Sequence, residues 1–343
     1  MTAQALLGIP LLLALAWLTS SNRRRFPLRL VVAGLLAQLV LALLFLKAPP
    51  LQALLLLVNR LVLALEAATR AGTTLVFGYL GGGEVPFAVT APEHAFVLAF
   101  RALPSVIVFA ALSALLWHWR VIPLVVNAFA RLLQKTMGLS GAVSVGSASS
   151  LFVGMVESPL LIKPYLARMS ASELFILMSC GMATVAGTVM GLYAGILTGV
   201  IPDALSHILV ASLLSAPAAI LVAAIMVPPG DGTDAEPVSM ASPYSGSMDA
   251  IVTGTSEGLR LLANIIGMLI VFVAFVHLAD IFLGLIPTGA EPLTLVGLFG
   301  RILAPLAWLL GIPWAEANTA GELLATKVFV NELVAFLQLA AIE

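Results

Sequence analysis

Long apolar runs alternate along the chain with short polar segments. Six of the runs are close to, or longer than, the roughly 20 residues that cross the hydrocarbon core of a bilayer. They predict transmembrane helices at residues 4–19, 28–46, 94–119, 171–197, 202–228 and 249–286. The basic residues Arg23, Arg24 and Arg25 follow the first run. Because positive charge collects on the cytoplasmic side of membrane helices, the N-terminus is predicted to lie outside.

Two apolar segments carry charges and are expected to lie along the membrane surface. An amphipathic helix at the outer surface is predicted for residues 51–77, and a cytoplasmic interfacial helix for residues 121–137. The charges of the first segment are Arg60, Glu66 and Arg70, and those of the second are Arg131 and Lys135.

Two further segments, residues 140–169 and 292–339, are interrupted too often by polar residues, glycine and proline to be simple spans. The interruptions of the first include Ser144, Gly146, Ser147, Ser149, Ser150, Gly154, Glu157 and Pro159, and those of the second include Pro305, Gly311, Pro313, Glu322, Lys327, Asn331 and Glu332. Such sequence is tolerated at membrane depth only against protein or a water-filled cavity. We therefore predict two re-entrant hairpins, the first entering from the cytoplasm and the second from outside.

Composition excludes several classes of protein. Apolar residues make up 61 % of the 343 residues and charged residues 10 %, against about 45–50 % and 25 % in soluble domains. A disordered chain would be polar and rich in charge, and the single cysteine, Cys180, excludes a disulfide scaffold. The net charge of -1 indicates no nucleic-acid partner. Because the sequence carries neither metal-ligand spacing nor a nucleophile–base set, we expect no cofactor and no enzyme.

The two broken segments suggest an internal repeat. The pentapeptide Phe129–Leu133 precedes the first segment and the similar Phe299–Leu303 precedes the second, and each segment then reaches a glutamate, Glu157 or Glu332. Since the hairpins enter from opposite faces, the repeat is predicted to be inverted. Interrupted segments in corresponding places of two halves are typical of a transporter's binding site.

A glutamate at bilayer depth costs roughly 2.5–3.5 kcal/mol or more and therefore needs a reason. Glu157 and Glu332 could accept hydrogen bonds from substrate hydroxyls or carry a coupling proton. Alternatively, arginine, lysine or backbone N–H groups could satisfy them simply to hold the hairpins. Glu322 and Lys327 are five residues apart and are expected to form a structural pair.

Two motifs resemble the signatures of the concentrative nucleoside transporter family. Residues 154–165 are similar to its first-hairpin motif, usually Gly-Gln-Thr/Ser-Glu-Ala-Pro-Leu, and Lys327 with residues 331–336 to its motif Lys-x-x-x-Asn-Glu-Phe-Val-Ala-aromatic. The resemblance runs over the whole chain. It implies a homotrimer in which each protomer has a scaffold part and a mobile transport part.

The resemblance also implies roles for individual residues. Ribose hydroxyls would be bound by Glu157 and Glu332, with Gly154 at the first hairpin tip and Val189 against the base. The cation site, between the first hairpin and an unwound fourth span, would hold Ser150, Val153 and Thr184.

Four positions depart from the family pattern. Met155 and Val156 replace the Gln and Thr that contact the nucleobase, so we expect a more apolar and less discriminating base pocket. Ser150 stands where sodium-dependent members usually carry Asn, and Thr184 where they carry Ser. Proton coupling is therefore slightly favoured over a possible sodium site.

The pattern predicts an all-α polytopic membrane protein of about six transmembrane helices, two re-entrant hairpins and an inverted repeat. Residues 1–120 would form the N-terminal scaffold helices, with three spans and the external amphipathic helix. Residues 121–228 would form the first transport repeat: an interfacial helix, the first hairpin and two spans. Residues 229–286 would form a cytoplasmic loop and the sixth span. Residues 287–343 would form the second hairpin, with the repeat incomplete because the family continues with two more spans.

The predicted function is cation-coupled secondary transport that imports nucleosides or nucleoside-like solutes across the cell (inner) membrane by alternating access. The alternative is a non-transporting or truncated protein of this kind, with a sensor or scaffold role in the bilayer.

Overall fold

The computed structural model of the chain describes residues 3–90, 95–155, 158–197, 199–230, 242–286 and 292–342. Over these ranges the ordered elements are helices and none is a β-strand. In chain order they are α1 (Ala3–Leu18), α2 (Leu28–Lys47), α3 (Pro49–Phe77) with a 3₁₀ turn (Gly78–Gly81), α4 (Leu98–Arg101), α5 (Ser105–His118), α6 (Val121–Met137), α7 (Gly141–Phe152), α8 (Ser158–Leu161), α9 (Lys163–Leu166), α10 (Ala171–Ala183), α11 (Gly187–Leu197), α12 (Ala204–Met226), α13 (Ser247–Leu283), α14 (Leu295–Leu309), α15 (Trp314–Phe329) and α16 (Glu332–Ala340).

Six helical segments of the described chain are long and apolar enough to cross a membrane. They are Leu28–Lys47, Pro49–Gly81, Leu98–His118, Ala171–Leu197, Ala204–Met226 and Ser247–Leu283. Five coincide with predicted spans. The remaining segment, Pro49–Gly81, is the one that was predicted to lie along the outer surface. It is apolar enough to cross a membrane because its few charges are spread over a long helix. The predicted first span, residues 4–19, contains only a shorter apolar helical stretch, Leu7–Leu18.

Residues 16–261 form one compact unit, and the small-residue helix α7 lies in its core. A Cβ at Gly146 would overlap the side-chain ends of Leu177 and Ile162, so any larger residue would force these side chains to shift. The amphipathic α6 packs beside α7 with Val126 and Ala130 buried. The crowding of Gly, Ala and Ser in residues 141–150 therefore reflects close helix packing in a protein interior.

The fourth predicted span is broken between α10 and α11. Thr184 has extended backbone angles, and the backbone N–H of Val185 donates a 3.0 Å hydrogen bond to Ser212 Oγ on α12. A Cβ at Gly187 would lie 2.6 Å from the carbonyl oxygen of Phe152, so α11 begins directly against the end of α7. The break thus lies directly beside the first hairpin.

Residues 1–15 and 262–343 form the other compact unit. Its helices α14 and α15 bend by 120° at a four-residue break in which Gly311 has φ +103°. They pack so closely that a Cβ at Gly321 would overlap the carbonyl oxygen of Gly300. A second break, at Val330 and Asn331, separates α15 from α16. The segment predicted as one hairpin therefore holds three helices, with α14 preceding a hairpin of α15 and α16.

Candidate functional site

The first hairpin turns at Gly154, where any other residue would strain the backbone. Helix α7 ends at Phe152, and Gly154 follows with φ +124°, a conformation that side-chain-bearing residues rarely adopt. The chain returns at Ser158, whose backbone N–H donates to the carbonyl of Gly154 at 3.1 Å and whose hydroxyl donates to the carbonyl of Gly146. The two hydrogen bonds of Ser158 therefore hold the returning chain against Gly154 and α7.

Val156 and Glu157 lie outside the described residues. The predicted role of Glu157 as a ribose acceptor, and its predicted sharing of one polar cavity with Glu332, remain predictions.

The predicted cation site has two of its residues in contact. Ser150 Oγ and Thr184 Oγ1 are 3.4 Å apart, and both residues are buried. Each hydroxyl also donates to a backbone carbonyl of its own helix, Ser150 to Ser147 at 2.8 Å and Thr184 to Cys180 at 2.9 Å. Val153, the third predicted residue, is half-buried immediately after α7. The pair offers two hydroxyl oxygens close together in a buried place.

Met155 lies in a small, largely apolar pocket beside α10. The pocket has a volume of about 250 Å³, and its lining includes Ser150, Met178 and Met182 as well as Met155. Met155 is 57 % exposed, and a Cβ at Gly181 would lie 2.9 Å from its Cβ. Thioethers supply only weak hydrogen-bond acceptors. The methionines of this pocket can therefore contact an apolar part of a solute but form few hydrogen bonds to its polar groups.

Val189, predicted to contact the base, is half-buried on α11. It is not among the described residues that line the Met155 pocket. Its neighbour Thr188 lines a separate cavity together with Val153.

Glu332 begins α16 at the turn of the second hairpin. The side chain of Asn331 caps this helix by accepting a 2.9 Å hydrogen bond from the backbone N–H of Val334. Glu332 Oε1 lies 3.0 Å from Lys327 Nζ, with 27 % of the Glu332 side chain and 48 % of the Lys327 side chain exposed. One carboxylate oxygen is thus held by the lysine, while the other has further acceptor capacity.

The expected pair of Glu322 and Lys327 is wrong. Residues five apart on a helix point roughly 140° away from each other, whereas residues four apart share a face. Glu322 Oε1 accepts a 2.9 Å hydrogen bond from Asn318, four residues before it. Lys327 instead reaches Glu332 across the break between α15 and α16.

Comparisons with known proteins identify the family of this chain. Family models described as the N-terminus and the C-terminus of a Na⁺ dependent nucleoside transporter match residues 7–80 and 207–343, and a third, described as nucleoside recognition, matches residues 99–199. Nucleoside permease NupC of Helicobacter pylori is 34 % identical over 344 residues, 98 % of this chain and 79 % of that protein. The chain belongs to the concentrative nucleoside transporter family.

Other members of this family lie close in sequence and in structure. Sodium/nucleoside cotransporter 1 of Homo sapiens is 31 % identical over 340 residues, 97 % of this chain and 50 % of that protein. CNTnw in an inward-facing substrate-bound state superimposes with a TM-score of 0.87 at 34 % identity, covering 98 % of this chain and 80 % of that one. A variant of CNTnw in an outward-facing state gives the same TM-score at 33 % identity, covering 98 % and 79 %.

Cys180 lies beside the predicted cation site and was not predicted there. Its Sγ lies 3.9 Å from Ser150 Oγ and 3.7 Å from the carbonyl oxygen of Ser147. Helical spacing could have found it, because Cys180 on α10 is four residues before Thr184, which follows this helix, and Ser147 and Ser150 are three apart on α7.

Proposed function

We propose that the protein is a secondary transporter that imports nucleosides or nucleoside-like solutes by alternating access, driven by a cation. The observation that carries the proposal is the contact between Ser150 and Thr184, beside the Met155 pocket, where the first hairpin meets the broken fourth span. Unsatisfied backbone groups at helix breaks are where transporters bind solutes and ions. In a nucleoside transporter family, this place suits a nucleoside and its coupling cation.

Ribose would be bound by carboxylates. Glu332 keeps acceptor capacity beyond its contact with Lys327, and Glu157 is proposed as the second acceptor. A hydrogen bond from a hydroxyl to a charged group contributes about 1.5–3 kcal/mol, enough to make ribose the main determinant of affinity.

The nucleobase would be recognised mainly by shape. Met155, Met178 and Met182 line the pocket where the resemblance places the base. An apolar pocket discriminates by only about 1–3 kcal/mol per methylene, whereas a hydrogen-bonding pocket rejects a wrong partner more strongly. Purine and pyrimidine nucleosides should therefore compete with similar potency.

Protons are proposed as the coupling ion in preference to sodium. Sodium requires several oxygen ligands, whereas the side chains of the described residues at this place offer the two hydroxyl oxygens of Ser150 and Thr184 and the thiol of Cys180. The proton would be carried by a carboxylate, for which Glu157 and Glu332 are the candidates. One charge crossing 100 mV supplies about 2.3 kcal/mol, which allows accumulation by a factor of tens.

The assembly and orientation are proposed from the same resemblance. The protein would be a homotrimer in the cell (inner) membrane, with its N-terminus outside and a mobile part carrying the hairpins. One contact supports the alternative of a protein that does not transport. The Lys327–Glu332 pair could serve only to hold the second hairpin in place.

Uptake into proteoliposomes tests the proposal. Radiolabelled uridine should accumulate when an inward pH gradient is imposed and should not respond to a sodium gradient. Uptake that requires sodium and ignores the pH gradient would overturn the choice of ion. Absence of uptake under every gradient, by protein that remains folded, would favour the non-transporting alternative.

A further inference from the structure

A cavity separate from the Met155 pocket lies within the unit formed by residues 16–261. Its volume is about 340 Å³, within the range of small-molecule sites. Its walls include Trp117 of α5, Thr188 of α11, Glu257 of α13 and Tyr244 of the segment before α13. The cavity thus brings two aromatic rings, a hydroxyl and a carboxylate together.

Trp117 contributes its ring to the cavity wall. It is only 5 % exposed, and its indole nitrogen is enclosed and makes no hydrogen bond in the described part of the chain. A solute in the cavity therefore meets the ring and not the N–H group. The neighbouring Trp119 differs, because its indole N–H donates to Ser247 Oγ at 3.1 Å.

Tyr244 is held in place by its own segment. The backbone N–H of Tyr244 donates to Ser242 Oγ at 3.2 Å, and Ser245 donates to Asp249 Oδ2 through both its backbone N–H at 2.9 Å and its hydroxyl at 3.0 Å. Burial, followed by the charges of Glu257 and Asp249, raises the pKa of the Tyr244 phenol. The phenol therefore stays protonated at neutral pH and can both donate and accept.

The cavity adjoins residues assigned to transport. Val153, proposed at the cation site, lines it, and Thr188 lines it next to Val189 on α11. A solute leaving the first hairpin would therefore find this space beside it. Glu257 is exposed on α13 and lines this space, so its carboxylate is accessible to a solute.

We infer that this cavity is a second nucleoside-binding site, which the solute occupies as it passes the first hairpin. The inference rests on the proposed function. The chemistry fits a nucleoside: the rings of Trp117 and Tyr244 offer apolar surface for the base, and Glu257 can accept from ribose hydroxyls.

Thiol protection tests occupancy directly. Ser113 lines the cavity, so Ser113→Cys places a reactive thiol in its wall, while the native Cys180 is fully buried. Purified protein in detergent is labelled with a maleimide, with and without uridine. Saturating uridine should slow labelling at least about fivefold, because a bound solute excludes the reagent. Ser256→Cys is the matched control, since Ser256 is exposed on α13 outside the cavity and should not be protected.

A second substitution, combined with Ser113→Cys, tests whether the protection comes from uridine bound in this cavity. Glu257→Gln should raise the half-protecting concentration of uridine about tenfold, the effect of losing one hydrogen bond to a charged group. The controls Trp119→Phe and Arg260→Gln change residues that do not line the cavity and should leave that concentration unchanged. Glu332→Gln should also leave it unchanged, since Glu332 belongs to the main site.

The outcomes separate this inference from the proposed function. Protection that persists in Glu332→Gln and weakens in Glu257→Gln supports a second site. Protection that disappears in Glu332→Gln, or no protection by uridine, overturns it, even when the unmodified protein transports uridine. Protection in a protein that transports nothing would support binding here while contradicting the proposed function.

Discussion

Replacing Glu332 by glutamine separates a binding role from a structural one. The change keeps the size of the side chain and removes its charge, so the 3.0 Å contact with Lys327 loses its ionic character. Because the two side chains are 27 % and 48 % exposed, the pair contributes only about 0–1 kcal/mol to stability. A ribose hydroxyl donating to the charged carboxylate contributes about 1.5–3 kcal/mol. Glu332→Gln should therefore weaken transport roughly 10- to 150-fold while barely changing stability.

The assay pairs two measurements on the same protein. The concentration of uridine for half-maximal uptake is measured in proteoliposomes, and the melting temperature is measured in detergent by the unfolding of the purified protein. Glu322→Gln is the matched control, because Glu322 lies in the same hairpin region and its hydrogen bond from Asn318 can be kept by a glutamine oxygen. It should leave both measurements unchanged.

A particular pattern would refute the reasoning. If Glu332→Gln lowers the melting temperature in proportion to its loss of uptake, and Lys327→Gln does the same, the pair serves to hold the hairpin. If Glu332→Gln transports like the unmodified protein, the carboxylate binds no ribose.

Three further substitutions test the first hairpin and its surroundings. Gly154→Ala places a Cβ at φ +124° and should cost about 1–3 kcal/mol, measured as a lower melting temperature; an unchanged melting temperature would show that the tip relaxes freely. Met155→Gln restores a donor and an acceptor to the pocket and should separate the affinities of purine and pyrimidine nucleosides in competition assays. If one base is already strongly preferred and the substitution changes nothing, the base is read elsewhere. Ser150→Asn adds an amide oxygen beside Thr184 and should make uptake respond to sodium; continued indifference to sodium would place the cation determinant at another position.

Helix positions follow closely from the sequence, but one break does not. Residues 171–197 read as one long apolar span, and only the family resemblance implied an unwound stretch there. The break contains Val185 and Ala186, neither of which disfavours membrane helix strongly. It is stabilised by Ser212, whose hydroxyl accepts from the backbone of Val185 across 27 residues of chain. A local pattern cannot reveal a contact of that kind.

The second broken segment shows a different limit. Gly311 and Pro313 are stronger helix breakers than Val330 and Asn331, so sequence alone cannot tell which break is the hairpin tip. The structure places a 120° bend at the first break and begins the helix of Glu332 at the second. The same ambiguity explains the mistaken pairing of Lys327, whose partner lies beyond the second break.

The matched pentapeptides acquire a physical meaning from burial. Phe129–Leu133 lies within α6 and Phe299–Leu303 within α14, each on the helix that precedes a hairpin. In both, the second position is small and buried and the third is an exposed arginine, with Ala130 and Arg131 matching Gly300 and Arg301. The similarity therefore records an amphipathic packing face and contributes no side chain to the proposed binding sites. The repeated element is a surface-seeking helix together with its hairpin, and the arginine on each helix is suited to the membrane–water boundary.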